Sequence, residues 1–344
     1  MGRWYIDKGP ESDVVVSSRV RLARNFKEYP FPYRMTKEQA ESVLSKVKDV
    51  IQGSSSSATK NFVYMNMQEL PPVDRQILME KHLISPNLLE SRVSSAAIIS
   101  KDEKISVMVN EEDHLRIQCL FPGLQLNKAW NLCGKLDTLL EEKIDFAFSK
   151  QYGYLTCCST NIGTGIRASA MLHLPALTMT GYIGRVLEAC GKLGVAVRGL
   201  YGEHSEAAGN MFQISNQVTL GMTEDEIISN MTNITSQIME QERTLRGELY
   251  VQNPQRLEDK VFRSLGILTH ARIISTEESL KLLSDIRLGV EMGIIKDIPI
   301  EKINEVMLLI QPAYLQKRVG KNLSPDERDI QRAETVRKQL KIEN

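Results

Sequence analysis

The stretch VVVSSRVRLARN, residues 14–25, starts as an apolar run and continues as a strand-like segment that carries arginines. Successive side chains of a strand point to opposite faces, so Arg19 and Arg21 are expected to lie on the same face. Guanidinium groups form two parallel hydrogen bonds with phosphate oxygens. The segment therefore predicts a strand that contributes cationic groups to one side of a sheet.

The length is enough for two domains, and the composition is that of a soluble globular protein. The 344 residues are 42% hydrophobic and 25% charged, and Lys+Arg and Asp+Glu both total 43. A net charge of zero argues against a dedicated nucleic-acid binder. The chain has no apolar run long enough to span a bilayer and no signal peptide, so we expect a cytoplasmic protein without a membrane partner. Five cysteines without a CxxC pair fit neither a disulfide framework nor a structural zinc site.

Hydrophobic patterning predicts an α+β fold. Residues 96–215 are mostly short strand-like segments, with one helix near 179–193, and the tight turn before Gly153 favours antiparallel neighbours. Helices follow after Gly221, and Ser324 begins a capping-box pattern with Pro at the first helical position. We expect an antiparallel sheet flanked by helices as a catalytic domain over residues 1–250. A helical C-terminal domain is expected over residues 251–344.

Two common nucleotide-binding motifs are excluded or weak. No GxxxxGK[ST] is present, which excludes a P-loop. Gly163-Thr-Gly-Ile-Arg-Ala168 fits GxGxxA, but the next strand-like segment ends in Arg198 and Gly199 instead of an acidic residue. The pattern is thus weak support for a dinucleotide-binding fold.

Arginines and carboxylates at strand ends indicate a different site. Arg116, Arg167 and Arg198 each end a β-like segment, and together with the two arginines of the first strand they predict a phosphate clamp. Taken singly, each is expected to be solvated or salt-bridged. The acidic run 110–114 has three interpretations: a solvated loop, a metal site on Glu111–His114, or recognition of a cation by Glu112 with a second carboxylate, Glu203.

Four segments resemble, in order, the signature segments of the phosphagen (guanidino) kinases, such as arginine and creatine kinase. They are VVVSSRVRLARN, NEEDHLRI, LTCCSTNIGTGIRAS and RGLYGEHSEAAGNMFQISN, and EKHLISP around His82 resembles the ATP-contacting histidine segment of that family. The resemblance implies Mg²⁺-ATP as phosphoryl donor. It implies that Glu112 orients a guanidinium and accepts its proton, that Glu203 is the second carboxylate, and that Cys158 is the thiol beside the guanidinium. The implied ATP site consists of Ser17, Ser18, Arg19, Val20, Arg21, His82, Arg116, Arg167, Ala168, Ser169, Ala170, Met171, Arg198, Gly199, Leu200, Tyr201, Gly202 and Glu203.

The departures from the small-molecule kinases imply a protein acceptor. Only thirteen residues precede Val14, where those enzymes carry a helical domain that closes over the substrate, and the helical region after residue 250 has no counterpart in them. This arrangement looks like the bacterial protein-arginine kinases of the McsB type. Ser159, Gln213 and Met171 stand where the small-molecule kinases have proline, aspartate and histidine, which leaves the adenine pocket undefined.

The C-terminal segment Arg328-Asp-Ile-Gln-Arg-Ala333 fits the RDxxRA pattern of the same group, where it is associated with phosphoarginine binding. Arg328 and Arg332 are four residues apart on one helical face, so two guanidinium groups could bind a phosphate while Asp329 binds a guanidinium. The alternative is an ordinary exposed helix with intrahelical ion pairs.

The expected activity is therefore ATP-dependent phosphorylation of arginine residues in proteins. The resemblance implies stress regulators and clients of chaperone–protease systems as substrates and allosteric control through phosphoarginine. An activator protein and a homodimer are further expectations. The alternatives are a kinase for free arginine or another small guanidino compound, a non-catalytic phosphoarginine-reading adaptor, and a metal-dependent hydrolase.

Overall fold

A computed structural model describes residues 4–53, 61–199 and 208–340. Its strands are β1 (Val15–Arg24), β2 (Phe62–Asn66), β3 (Ala96–Ser100), β4 (Ile105–Val109), β5 (Leu115–Pro122), β6 (Phe148–Ser149), β7 (Gly153–Tyr154), β8 (Ile166–His173), β9 (Val195–Gly199) and β10 (Met211–Asn216). Its helices are α1 (Lys37–Gly53), α2 (Pro72–Glu80), α3 (Pro86–Leu89), α4 (Leu126–Glu141), α5 (Pro175–Met179), α6 (Ile183–Lys192), α7 (Glu224–Gln252), α8 (Pro254–His270), α9 (Thr276–Glu291), α10 (Ile300–Leu309), α11 (Pro312–Val319) and α12 (Pro325–Gln339).

Eight strands form one sheet in the order β2-β3-β4-β5-β1-β8-β10-β9, and β6 and β7 form a separate hairpin. The pairs β1–β5, β2–β3, β3–β4 and β4–β5 are all antiparallel. In the first of these, Ala23 lies opposite Arg116. The hairpin pairs Ser149 with Gly153. The prediction of a largely antiparallel sheet with flanking helices and a helical C-terminal region is confirmed.

The chain divides into two compact units. Among the described residues, the first comprises 4, 17–53, 61–170 and 215–233, and the second comprises 5–16, 171–199, 208–214 and 234–340. In the first unit, apolar residues of β3, β4 and β5 are buried, as are those on one face of α1 and of α4. In the second unit, a core cluster contains Val261, Leu283, Ile286, Ile303 and Val336, which come from α8, α9, α10 and α12. No helix among the described residues is long and apolar enough to cross a membrane.

Local capping signals place the helix starts correctly. The hydroxyl of Thr36 accepts from the backbone N–H of Gln39, whose side chain accepts from the N–H of Thr36. Ser324 and Glu327 form a complete capping box at the start of α12. Each reciprocal pair satisfies backbone donors that the first turn of a helix leaves without partners.

The expectation of a single helix between residues 96 and 215 is wrong. Helix α4 occupies Leu126–Glu141 and buries Ala129, Cys133 and Leu136 at helical spacing. The helix expected near 179–193 is present as α6, and Gly181, with a left-handed φ of 74°, separates it from the short helix α5 that precedes it. Glycine adopts that conformation without steric cost and ends the first helix.

Candidate active site

Strand β1 carries the two arginines that the sequence assigns to one face. Val20 and Leu22 are fully buried, whereas Arg19 and Arg21 alternate with them and are only partly buried. The Nε of Arg19 donates to the hydroxyl of Ser169 on β8 across 3.4 Å. The alternation directs both guanidinium groups to the same side of the sheet.

Positive charge is concentrated on this side. Desolvation, followed by the charges of Arg116 and Arg167, lowers the pKa of Arg19 to about 9. The pKa of Arg21 is lowered well below its ordinary value by desolvation and by the charge of Arg19, and the charges of Arg116 and Arg167 act in the same direction. These shifts mean that the guanidinium groups repel one another in poorly hydrated surroundings. An anion with several charged oxygens, such as a polyphosphate, would relieve that repulsion.

A buried carboxylate holds Arg116 in this cluster. The Nη1 of Arg116 donates to Oε1 of Glu111 across 2.7 Å, and the hydroxyl of Ser85 donates to the same oxygen. The side chain of Glu111 is 1% exposed. The sequence pattern does not predict that Glu111 supports phosphate binding, because a pair that meets across a turn between strands follows no helical or strand periodicity.

Glu112 has different electrostatic surroundings from its neighbour. Burial raises the pKa of Glu111, but the charge of Arg116 and several hydrogen bonds together lower it below its ordinary value. Glu112 is an exposed residue, yet partial desolvation of its carboxylate, followed by the charges of Asp113 and Glu111, raises its pKa. The charges of Arg116 and Arg167 act on Glu112 in the opposite direction, and Glu112 directly follows Glu111, which binds Arg116. A carboxylate with a raised pKa is suited to proton transfer.

The two adjacent cysteines also differ. The Sγ of Cys158 lies 3.0 Å from the Thr160 hydroxyl, to which Nη2 of Arg167 donates across 3.4 Å. The backbone N–H of Cys157 donates to the Asp113 carboxylate across 2.7 Å. Burial and that carboxylate raise the pKa of the Cys157 thiol well above its ordinary value. Cys158 therefore lies by the arginine cluster, whereas Cys157 is a poor candidate for a reactive thiolate.

The glycines of the GxGxxA pattern serve close backbone packing. Gly163 has a φ of 112°, and a Cβ there would lie 2.4 Å from the carbonyl oxygen of Thr219. Gly165 has a φ of 66°, and a Cβ there would lie 2.7 Å from the carbonyl oxygen of Ala23. These contacts account for the glycines without a dinucleotide and set the position of Arg167 at the start of β8.

His82 lies near Arg19, in the segment after α2. It has a left-handed φ of 57°, and its carbonyl oxygen accepts from the side-chain amide of Gln118 across 2.8 Å. Although the residue is exposed, protein atoms packed around its ring and the charge of Arg19 lower its pKa to about 4. An uncharged imidazole adds no further repulsion to the guanidinium groups.

The other predicted ATP-site residues fall into three groups. Ser17, Ser18, Val20, Ala168 and Ala170 are buried in β1 and β8. The hydroxyl of Ser18 is engaged within the protein, because it donates to the Gly123 carbonyl and accepts from the Gln125 N–H. Met171, Arg198 and Gly199 belong to the second compact unit. Leu200, Tyr201, Gly202 and Glu203 lie outside the described residues.

A metal site on the acidic run has no support in the geometry. The Nδ1 of His114 accepts from the Phe26 N–H, and its Nε2 lies 3.0 Å from the Pro30 carbonyl oxygen. Both ring nitrogens are therefore engaged with backbone groups. In the part of the chain that the structure describes, no three His, Cys, Asp or Glu side chains are grouped as metal ligands would be.

The RDxxRA segment lies in α12. Arg332 is 1% exposed; its Nε donates to the Ile310 carbonyl and its Nη1 to the Ile274 carbonyl, each across 3.0 Å. It also forms an ion pair with Asp329, whose side chain is 31% exposed. Arg328 is partly exposed, and its Nη1 donates to the Leu323 carbonyl across 3.2 Å. Ala333 is buried. Arg332 thus fixes α12 and orients Asp329, whereas Arg328 and Asp329 are accessible to a ligand.

Two family models match successive parts of the chain. The catalytic-domain model of the ATP:guanido phosphotransferases matches residues 42–245. The model of the protein-arginine kinase McsB C-terminal domain matches residues 254–344.

Solved structures with a similar fold include lombricine kinase, with 21% identity, a TM-score of 0.62 and coverage of 70% of this chain and 69% of that one. The duplicated taurocyamine kinase of Schistosoma mansoni with bound transition-state-analogue components is another, with 25% identity and a TM-score of 0.58 over 68% of this chain and 33% of that one.

Relatives that match over nearly their whole length are protein-arginine kinases. That of Bacillus pumilus is 50% identical over 343 residues, which is 100% of this chain and 94% of the relative. That of Desulforamulus reducens is 52% identical over 339 residues, or 98% and 95% of the two chains. That of Bacillus subtilis is 48% identical over 343 residues, again 100% and 94%. The chain belongs to the protein-arginine kinase family of ATP:guanido phosphotransferases.

Proposed function

We propose that this protein transfers the γ-phosphoryl group of ATP to the guanidinium of arginine residues in proteins. The observation that carries the proposal is that Glu112, a carboxylate of raised pKa, directly follows Glu111, which binds Arg116 of the arginine cluster across 2.7 Å. An anionic donor and a cationic acceptor need opposite charges side by side, and this site supplies both. The names of the full-length relatives support the same activity.

The arginine cluster would bind the donor. Arg19, Arg21, Arg116 and Arg167 lie close enough to lower the pKa of the two arginines on β1. Phosphoryl transfer requires in-line positioning and neutralisation of charge on the phosphate oxygens, which guanidinium groups provide. Mg²⁺, bound mainly by the nucleotide phosphates and water, would neutralise further charge there. A role of Arg198 and the residues that follow it in ATP binding stays a prediction from the sequence.

Glu112 would act on the acceptor. A guanidinium has a pKa above about 12, so it must lose a proton as its nitrogen attacks phosphorus. A carboxylate that hydrogen-bonds the group orients it and accepts that proton. Cys158, beside Thr160 and Arg167, is proposed to contact the guanidinium, and Glu203 to fix its plane.

The acceptor is proposed to be an arginine within a polypeptide. Support comes from the protein-arginine kinase relatives and from the match of residues 254–344 to the McsB C-terminal domain. In that domain, Asp329 and Arg328 are proposed to bind phosphoarginine and so regulate the catalytic domain. Cytoplasmic location, a homodimer, an activator protein and a role in the stress response stay predictions.

The deciding experiment is incubation with Mg²⁺-ATP and casein, followed by intact mass measurement and site mapping at neutral pH. Acid must be avoided because it hydrolyses the P–N bond. Phosphate on arginine that is absent from the Glu112→Gln reaction would support the proposal. Consumption of free arginine without protein labelling would favour a small-molecule kinase, and binding of phosphoarginine without ATP turnover would favour an adaptor.

A further inference from the structure

The side chain of Asn25, at the end of β1, connects two loops of the candidate active site. Asn25 is 1% exposed. Its Nδ2 donates to Oδ1 of Asp113 across 2.6 Å and to the Leu155 carbonyl across 3.0 Å. Its Oδ1 accepts from the His114 N–H across 2.9 Å. Both amide hydrogens and the carbonyl oxygen are thus used, so the orientation of the amide is fixed.

Asp113 extends this connection to the cysteine segment. It is 2% exposed, and the oxygen that accepts from Asn25 also accepts from the Cys157 N–H across 2.7 Å. Asp113 follows Glu112 directly, and Cys157 precedes Cys158 directly. One oxygen of Asp113 therefore links the loop that carries Glu112 to the segment that carries Cys158.

We propose that Asn25 and Asp113 are positioning residues that fix the distance between the Glu112 carboxylate and the Cys158 thiol. This inference rests on the proposed function in one respect: it takes the Glu112 carboxylate and the Cys158 thiol to contact the same acceptor guanidinium. Both residues are buried, so neither touches the substrates and each acts through the loop that it holds. A displacement of about 1 Å in reacting groups can cost about a hundredfold in rate, so loss of this link is expected to slow turnover.

The residue types explain why close substitutes should fail. Aspartate at position 25 keeps the shape but loses both donors, and it brings a second carboxylate against Asp113 in a poorly hydrated space. Asparagine at position 113 keeps an acceptor for the Cys157 N–H, but its amide cannot accept from Asn25 with the same strength. In the double variant Asn25→Asp/Asp113→Asn, the two positions again hold one amide, which can donate, and one carboxylate.

The test compares Asn25→Asp, Asp113→Asn and the double exchange with the parent enzyme. In each single variant we expect kcat for an arginine peptide to fall about 10- to 100-fold while KM for ATP changes less than about twofold, because only acceptor alignment is altered. In the absence of nucleotide, iodoacetamide should alkylate Cys158 at a rate that differs at least about threefold from that of the parent. Mass spectrometry maps the alkylated residue. The double exchange should recover part of kcat and of the parental alkylation rate.

Asp137→Asn is the matched control for lost stability. Asp137 is 7% exposed and binds the Nε and Nη2 of Arg24, the residue before Asn25, across 3.0 and 2.7 Å. This variant should lower the unfolding midpoint as the Asn25 variants do, yet leave Cys158 alkylation at the parental rate.

Two results would overturn the proposal. One is a folded Asn25→Asp enzyme with parental kcat and parental Cys158 alkylation. The other is a fall in kcat and a change in Cys158 alkylation in Asp137→Asn that equal those in the Asn25 variants, when the variants have the same unfolding midpoint. If Asn25→Asp does not fold, Asp113→Asn and Asn25→Ser give the same comparison. Absence of arginine phosphorylation in the parent enzyme would refute the proposed function. Cys158 alkylation would still test the positioning role of Asn25 and Asp113, because it needs no turnover.

Discussion

Arg116 donates to Glu111 across 2.7 Å, and this ion pair separates the roles of two consecutive glutamates. The charge of Arg116 and hydrogen bonds hold the pKa of Glu111 below its ordinary value, so this carboxylate is committed to the arginine. Glu112 follows it in the chain but takes the opposite shift, because burial and neighbouring carboxylates raise its pKa. Groups whose surroundings move their pKa values apart are suited to different tasks.

Glu112→Gln should abolish nearly all phosphoryl transfer. Loss of a general base costs about 10²- to 10⁴-fold in rate, whereas the arginine cluster that binds ATP stays intact. Steady-state ADP release with an arginine peptide measures the first effect, and nucleotide titration measures the second. Glu142→Gln, on an exposed carboxylate just after α4, is the control and should match the parent. A Glu112→Gln enzyme of parental activity would remove the base from the mechanism.

The acid limb of the pH–rate profile should lie above the ordinary glutamate value of 4.5, because the pKa of Glu112 is raised by burial, then by Asp113 and Glu111. The base must be ionised to accept a proton, so kcat/KM should fall as the pH drops through this raised pKa. Initial rates of ADP release across the acidic range give the profile. Asp113→Asn removes one of the charges that raise the pKa, and it should move the limb to lower pH. A limb that stays in place would contradict this assignment.

Arg19→Met should make the nucleotide-free protein more stable and less responsive to ATP. Desolvation and the charges of Arg116 and Arg167 already lower the pKa of Arg19 to about 9, so removing its charge relieves repulsion. We expect a gain of about 1 kcal/mol in the free energy of unfolding. The parent should gain about 2.7 kcal/mol at ATP concentrations a hundredfold above Kd, and the variant far less. Urea unfolding with and without Mg²⁺-ATP measures both, and the exposed Arg92→Met should change neither.

The alternation of β1 and the start of α12 could be predicted from sequence because both depend on short spacings. Alternation along β1 assigns Arg19 and Arg21 to one face, and Ser324 with Glu327 marks the start of α12. The bonds of Asn25 could not be predicted, because its partners lie 88 to 130 residues away. Such contacts depend on how loops meet in three dimensions, which no local periodicity records.

The RDxxRA segment shows a similar limit. Helical spacing predicts that Arg328 and Arg332 share a face, but the spacing does not tell which of them is buried. The carbonyl groups of Ile274 and Ile310 determine this, since both accept from Arg332. The two guanidinium groups are therefore expected to have different roles.

Arg328→Ala and Asp329→Asn should weaken phosphoarginine binding, whereas Arg332→Ala should first destabilise the C-terminal helices. Losing one charged hydrogen bond to the ligand costs about 1.5–3 kcal/mol, or at least about tenfold in Kd. Removing Arg332 leaves two buried carbonyl groups without a donor, which we expect to cost about 3 kcal/mol of unfolding free energy. Titration with a phosphoarginine peptide and urea unfolding separate the effects. Unchanged affinity in Asp329→Asn would refute the site.

Acid sensitivity of folding should depend on His114. Burial lowers the pKa of this ring from its ordinary value of 6.5 to about 4, and the Phe26 N–H occupies the nitrogen that a second proton would need. Between these two values the unfolded chain binds the proton and the folded chain does not, so the free energy of unfolding falls as the pH drops. At pH 5 this loss is about 2 kcal/mol for one histidine.

His114→Gln should therefore reduce the acid dependence of stability. Urea unfolding at several pH values between 7 and 5 gives the slope, which should decrease by up to one proton. Part of the slope should persist, because the pKa of His173 is lowered well below its ordinary value by burial and that of His82 is lowered to about 4. His270→Gln, on the exposed side of α8, is the matched control and should keep the parental slope. Equal slopes in the parent and His114→Gln would mean that other groups cause the acid sensitivity.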